Sequence, residues 1–243
     1  MQNRYTGDIG DFGKLGLLRA LQASGLSIGV NWYLVPDEEH NNDGRYVQYL
    51  KSEDYRQCDE YLWLKLNQIV SSERRDVSSI ENEGILKASF FSDMLDFSNR
   101  STETERTAVR RSWHKDALLA LRGLDVVFVD PDNGLIVFSA DGTRKENKYA
   151  RPEELADYFR QGSSVIYYQH KARKPDSFYL AQHNQLMEGL GIDQASGSAL
   201  KFCKTSQRYY FFIVQLKHRE IVSAAVRKFL SSQWKKYFVL LEN

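Results

Sequence analysis

Residues 124–134 read LDVVFVDPDNG, residues 152–162 PEELADYFRQG and residues 163–170 SSVIYYQH. The first and third runs are apolar, rich in β-branched and aromatic side chains, and of a length that suits buried strands. The middle run places its apolar residues at helical spacing behind a proline fitted to a first helical turn. Strand, helix and strand in this order predict two parallel strands joined by a right-handed crossover.

The same pattern extends in both directions. Residues 105–123 (ERTAVRRSWHKDALLALRG) predict a helix, and residues 27–36 (SIGVNWYLVP) a buried strand cut by Pro36. Residues 11–24 (DFGKLGLLRALQAS) set Leu15, Leu17, Leu18 and Leu21 at helical spacing, with Gly25 as the stop. Beyond His170, residues 178–191 predict a helix. The runs 199–205 (ALKFCKT) and 208–216 (RYYFFIVQL) lie too close together for a crossover and predict an antiparallel pair at or near a sheet edge, Tyr209, Phe211 and Ile213 on one face and Tyr210, Phe212 and Val214 on the other. A helix over 219–234 precedes KKYFVLL. The expectation is an α/β fold: one Rossmann-like three-layer sandwich over residues 1–243, its sheet mostly parallel with an antiparallel hairpin near the C-terminus. Residues 45–104, helical in pattern to about 70 and without a clear period after that, are set apart as an insertion.

Composition narrows the class. A chain of 243 residues can bury a core without metal or disulfide staples, and its two cysteines, Cys58 and Cys203, lack metal-binding spacing. The opening residues are polar and charged, and no stretch approaches the roughly 18 apolar residues of a membrane span, so a cytoplasmic protein without a membrane partner is expected. The net charge of +1 excludes a uniformly basic nucleic-acid surface while leaving room for a local patch.

In open α/β sheets, ligands bind beyond the carboxyl ends of the strands, so polar residues just after strands are the first candidates. The turn Asp130-Pro131-Asp132-Asn133 packs two carboxylates and an amide against a buried strand, where desolvation is costly; it is also a good turn sequence in its own right, with Gly134 free to take a positive φ. Gln169, His170, Lys171 and Arg173 follow the next strand and suit phosphate or carboxylate recognition. Asp37, His40 and Asp43 lie in the loop after the strand over 27–36, and Gly44 and Arg45 open the segment behind it.

These elements resemble Rossmann-like S-adenosylmethionine-dependent methyltransferases, in particular the ribosomal-RNA adenine-N6 methyltransferase group and the three-Cys-motif partner proteins. The likeness is carried by Asp11, Phe12, Lys14 and Leu17–Leu18, by the strand and loop ending in Gly44-Arg45, and by VVFVDP with SVIYYQH beyond it. It implies a cofactor contact at Lys14 and a catalytic Asp-Pro loop at Asp130 and Pro131. Two departures stand out: the glycine-rich turn after the first strand is replaced by PDEEHNNDG, and the last two residues of the catalytic loop are Asp132 and Asn133, so the stacking aromatic is missing.

Two enzymatic expectations follow. In a methyltransferase acting on nucleic acid or a nucleotide, Asp130, Asp132, Asn133 and His170 form the catalytic set. Lys14, Asp37, His40, Gly44 and Arg45 then hold S-adenosylmethionine, and Pro131, Gln169, Lys171 and Arg173 meet the substrate. In a metal-dependent nuclease or phosphodiesterase, Asp37, Asp43, Asp130 and Asp132 hold Mg2+ or Mn2+. A non-catalytic binding protein on the same fold is the third class.

Overall fold

The computed structural model describes residues 1–38, 44–72, 75–193, 197–205 and 207–241. Its centre is a seven-stranded sheet built from β1 (Ile28–Asn31), β2 (Ala88–Phe91), β3 (Val126–Val129), β6 (Ser164–His170), β7 (Gly197–Phe202), β8 (Arg208–Ile213) and β9 (Phe238–Leu241), in the order β2-β1-β3-β6-β8-β7-β9. The first four of that order run parallel; β8 pairs antiparallel with β6, β7 antiparallel with β8, and β9 antiparallel with β7. A separate parallel ribbon joins β4 (Gly134–Leu135) to β5 (Tyr149–Ala150).

Pleat alternation divides the core. Along β3, Val126 and Phe128 face a cluster with Phe12, Leu15 and Leu18 of α1 (Ile9–Gln22), Leu62 and Leu66 of α3 (Glu60–Ser71), and Val222 and Phe229 of α8 (Arg219–Ser231). Val127 and Val129 face the opposite cluster, which holds Trp113 of α5 (Glu103–Ala120), Tyr158 of α6 (Pro152–Arg160) and Met187 of α7 (Asp176–Gly189). Helices therefore cover both faces of a mostly parallel sheet, the three-layer α/β sandwich expected from the sequence. Among the described residues no helix is long and apolar enough to cross a membrane.

The strand pair near the C-terminus forms as expected, with Tyr209, Phe211 and Ile213 in one cluster and Tyr210, Phe212 and Val214 in the other. It lies one strand in from the edge, because β9 adds outside β7. The segment 45–104 departs further from its reading as an insertion. After the short α2 (Glu53–Arg56), α3 and α4 (Val77–Asn82) pack into the core, and β2 enters the sheet as its edge strand. Three of the four residues of β2 are only partly buried or exposed, so its sequence carries no apolar run that marks a strand.

Candidate functional site

Strand order sets the position of the site. The chain leaves β1 for β2 on one side, then returns through α5 to β3 on the other, so the connections diverge between β1 and β3. Such a switch point opens a crevice outside the carboxyl ends of the strands. At those ends Asn31 and Val129 are register partners, and the Asp130 N–H donates to the Asn31 carbonyl at 2.9 Å.

A cavity of about 230 Å3 opens there, lined by residues that include Met1, Tyr5, Gly44, Tyr46, the whole Asp130–Asn133 turn, Tyr168 and His170. The N-terminus of α1 forms its floor. Asp8 caps that helix, accepting from the Gly10 and Asp11 amides at 2.7 and 3.0 Å, and Asp11 accepts from the Gly7 amide at 2.8 Å. One turn on, the Lys14 ammonium, 4% exposed, lies 2.7 Å from Asp11 Oδ1 and 2.5 Å from Asp130 Oδ2, and 5.1 Å from the centre of the Trp32 ring.

The electrostatics follow from burial and pairing. Burial opposes the charge of Lys14, but the carboxylates of Asp11 and Asp130 outweigh it and hold the ammonium well above its ordinary range. Burial pushes the carboxyl of Asp130 up against the opposing charge of Lys14, and that of Asp8 up against Arg208. Arg208, 7% exposed, starts β8 opposite His170 and lies so close to the first turn of α1 that a Cβ on Gly10 would come within 1.5 Å of its Nη1. A side chain at position 10 would push that guanidinium out of its place.

The turn is braced from below. Gln169 Oε1 accepts from the Leu135 amide at 2.9 Å, and its Nε2 donates to the Asn133 and His170 carbonyls at 3.1 Å each. Gly134, at φ +111°, allows this approach; a Cβ there would meet the Gln169 amide at 2.1 Å. Asp132 Oδ2 accepts from Gln2 Nε2 at 2.6 Å, and its Oδ1 lies 2.7 Å from the Met1 amine. The Asn133 N–H donates to the Lys148 carbonyl at 3.0 Å, and the Tyr168 hydroxyl lies 3.4 Å from His170 Nδ1.

The structure thus gathers Lys14, Gly44, Asp130, Pro131, Asp132, Asn133 and His170 from the sequence-derived set around one cavity. Gln169 is turned under the loop as its support, with its amide engaged there. Lys171 donates to the Lys174 carbonyl and neighbours Asp176, and Arg173 is exposed; neither lines the cavity. Arg45 is exposed beside Gly44. Asp37 belongs to a second cavity of about 240 Å3, with Glu38, Asp96 and Lys148 among its walls, and Gln2 separates the two by bonding Asp132 on one side and Glu38 on the other. His40 and Asp43 lie outside the described residues. The carboxylate set expected for Mg2+ or Mn2+ is accordingly not brought together: Asp130 is paired with Lys14 and Asp37 is in the other cavity. No three His, Cys, Asp or Glu side chains form a metal-holding group among the described residues.

Sequence reasoning missed Asp8, Arg208, Tyr5, Tyr46 and Tyr168. Asp8 carried a usable signal, an acid directly before an apolar helix. Arg208 carried none, since only the pairing of β8 with β6 brings it to the site.

No family model and no curated protein matches the chain. Among solved structures, protein LPL1258 from Legionella pneumophila, described under the family model DUF519, is similar to it at 10% identity and a TM-score of 0.48, over 97% of this chain and 96% of that one.

Proposed function

We propose that this chain takes a nucleobase, in a nucleotide or a nucleic acid, by its exocyclic amine, as the substrate side of a methyltransferase-like site. The observation that carries this reading is the Asp130-Pro131-Asp132-Asn133 turn lining a cavity at the switch point of the sheet. Lys14 takes Asp130 Oδ2, and among the described residues Oδ1 makes no hydrogen bond, so it is the carboxylate oxygen that accepts one amine hydrogen. The Pro131 carbonyl accepts the other. Tyr5, Tyr46 and Tyr168 supply aromatic walls for a planar ring, and Arg208 a cation at its margin. Burial raises the Asp130 carboxyl above its ordinary range, which makes it the stronger hydrogen-bond acceptor for that amine.

S-adenosylmethionine, the donor that the resemblance implies, does not fit the residues present. Where a glycine turn would admit it above β1, Trp32, Tyr33, Leu34 and Val35 are buried side chains. Met1 is laid along them, its carbonyl accepting from the Val35 amide and its amine donating to the Tyr33 and Asp130 carbonyls at 3.0 Å each. Gln2 then divides the crevice, leaving cavities each below the roughly 300 Å3 at which drug-sized ligand sites begin.

The test is calorimetry of the full chain with AMP against IMP and with CMP against UMP, pairs that exchange an amine for a carbonyl. A hydrogen bond to a charged carboxylate contributes about 1.5–3 kcal/mol, so the amine-bearing member should bind roughly 10- to 100-fold more tightly. Equal affinities within each pair overturn the reading. A parallel titration with S-adenosylmethionine checks the misfit, which tight binding would contradict.

A further inference from the structure

We infer that Gln2 sets the length of ligand this site accepts: its side chain confines the ligand to the first cavity, and a shorter residue there admits one that carries a zwitterionic extension into the second. This rests on the proposed recognition of a nucleobase and assigns the misfit of the donor to one replaceable side chain.

Two backbone bonds and that side chain form the partition between the cavities. The Val35 amide donates to the Met1 carbonyl and the Asn133 N–H to the Lys148 carbonyl, each at 3.0 Å. Gln2, at 0% exposure, spans from one wall to the other. Its Nε2 lies 2.6 Å from Asp132 Oδ2 in the first cavity and 3.4 Å from Glu38 Oε2 in the second. Its Oε1 accepts from the Glu38 amide at 2.9 Å and from Arg4 Nε at 2.8 Å. An amide bonded at both ends is fixed in place, so it rejects a longer ligand by occupying its path.

The groups that Gln2 touches have other partners. Asp132 keeps the Met1 amine at 2.7 Å, Glu38 keeps the Lys148 ammonium, and the Arg4 guanidinium keeps the Tyr5 hydroxyl at 3.2 Å. Shortening residue 2 therefore opens space without stranding a buried charge, the change that costs a fold most.

Size and charge name the extension. Each cavity alone falls below the roughly 300 Å3 of a drug-sized ligand site, and the two joined exceed it. The second is walled by Asp37, Glu38 and Asp96 and by Arg144, Lys145 and Lys148, acids and bases in equal number. Such a lining suits a head group that carries both charges, as an α-amino acid does, and repels a polyanion through its three acids. S-adenosylhomocysteine joins an amine-bearing adenine to a head group of this kind and serves as the probe.

The experiment is calorimetry of S-adenosylhomocysteine and of AMP with the parent, Gln2→Ala, Gln2→Asn and Gln2→Met, with circular dichroism as the folding control. The parent should take AMP in preference to S-adenosylhomocysteine. In Gln2→Ala the ratio of the two affinities should move roughly 10- to 100-fold toward S-adenosylhomocysteine, the worth of one hydrogen bond to a charged group in the second cavity. Gln2→Asn, one methylene shorter, should move it the same way by less, and it decides the matter if the alanine variant is unfolded. Gln2→Met keeps the length of the partition but loses its hydrogen bonds, so it should keep the parent's ratio. A parent that binds both ligands equally, an unchanged ratio in the shortened variants, or a methionine variant that shifts as far as alanine overturns the partition; amine-selective binding by the parent then leaves the nucleobase reading standing. A shortened variant that gains S-adenosylhomocysteine while the parent ignores the amine sustains the partition and overturns that reading instead. Binding of neither ligand to any of these proteins overturns both.

Discussion

Replacing Lys14 with methionine probes the polar centre of the site at nearly constant side-chain length. In the parent, one buried ammonium serves two buried carboxylates, 2.7 Å from Asp11 and 2.5 Å from Asp130. Lys14→Met leaves both acids without their cation in an enclosed place, and breaking a buried pair from one side costs about 3–5 kcal/mol. Against a total stability on the order of 5–15 kcal/mol, such a loss is plain in urea denaturation followed by tryptophan fluorescence. Asp130→Asn should cost less, about 1–3 kcal/mol, because Lys14 keeps Asp11 and the amide retains an acceptor oxygen. In the double variant the two losses should not add, since the uncharged side chain at position 14 then faces one carboxylate rather than two; a coupling above about 1 kcal/mol is expected. If Lys14→Met lies within about 1 kcal/mol of the parent, or if the two losses simply add, the three side chains are not the coupled buried network described here.

Gly10→Ala should destabilise the fold by about 1–3 kcal/mol in the same denaturation assay, because the new methyl group overlaps the buried Arg208 guanidinium, which must move away from the first turn of α1. Gly134→Ala combines a backbone at φ +111° with a clash against the Gln169 amide, so it should lower nucleotide affinity in calorimetry by displacing the turn that Gln169 supports. His183 is fully buried against the Tyr167 hydroxyl, and burial pushes its pKa down to about 4. An imidazole depressed in the folded state contributes stability above its unfolded value near 6.5 and loses it as pH falls toward 4, so about 3 kcal/mol should vanish across that window in chemical melts, and His183→Phe should flatten the slope.

The strands legible in the sequence are those whose burial leaves a pattern. Val126–Val129 and Ser164–Tyr167 are covered on both faces and read as continuous apolar runs, while Arg208–Ile213 presents its aromatic residues to both clusters in turn. Ala88–Phe91 was illegible because an edge strand half open to solvent keeps serine and exposed positions in its run. At the site, position after a strand was enough to mark Asp130, Asp132, Asn133 and His170. It misjudged Gln169, because an amide just after a strand end can turn toward a ligand or under its own loop, and only the glycine at 134 permits the second. It also grouped Asp37 with Asp130, since one-dimensional order does not show that Gln2 stands between their loops. The floor of the cavity, Asp8 and Arg208, is assembled by sheet pairing and helix capping across the length of the chain.

The measurement that bears most directly on this account is the amine preference of Asp130→Asn against that of the parent, taken from calorimetry with AMP and IMP on protein shown to be folded by circular dichroism. The parent should favour AMP roughly 10- to 100-fold, and the variant, whose amide lacks the charge and offers one acceptor oxygen, should favour it by less than about threefold. A parent indifferent to the amine, or a preference that survives the substitution intact, would contradict the assignment of Asp130 as its acceptor.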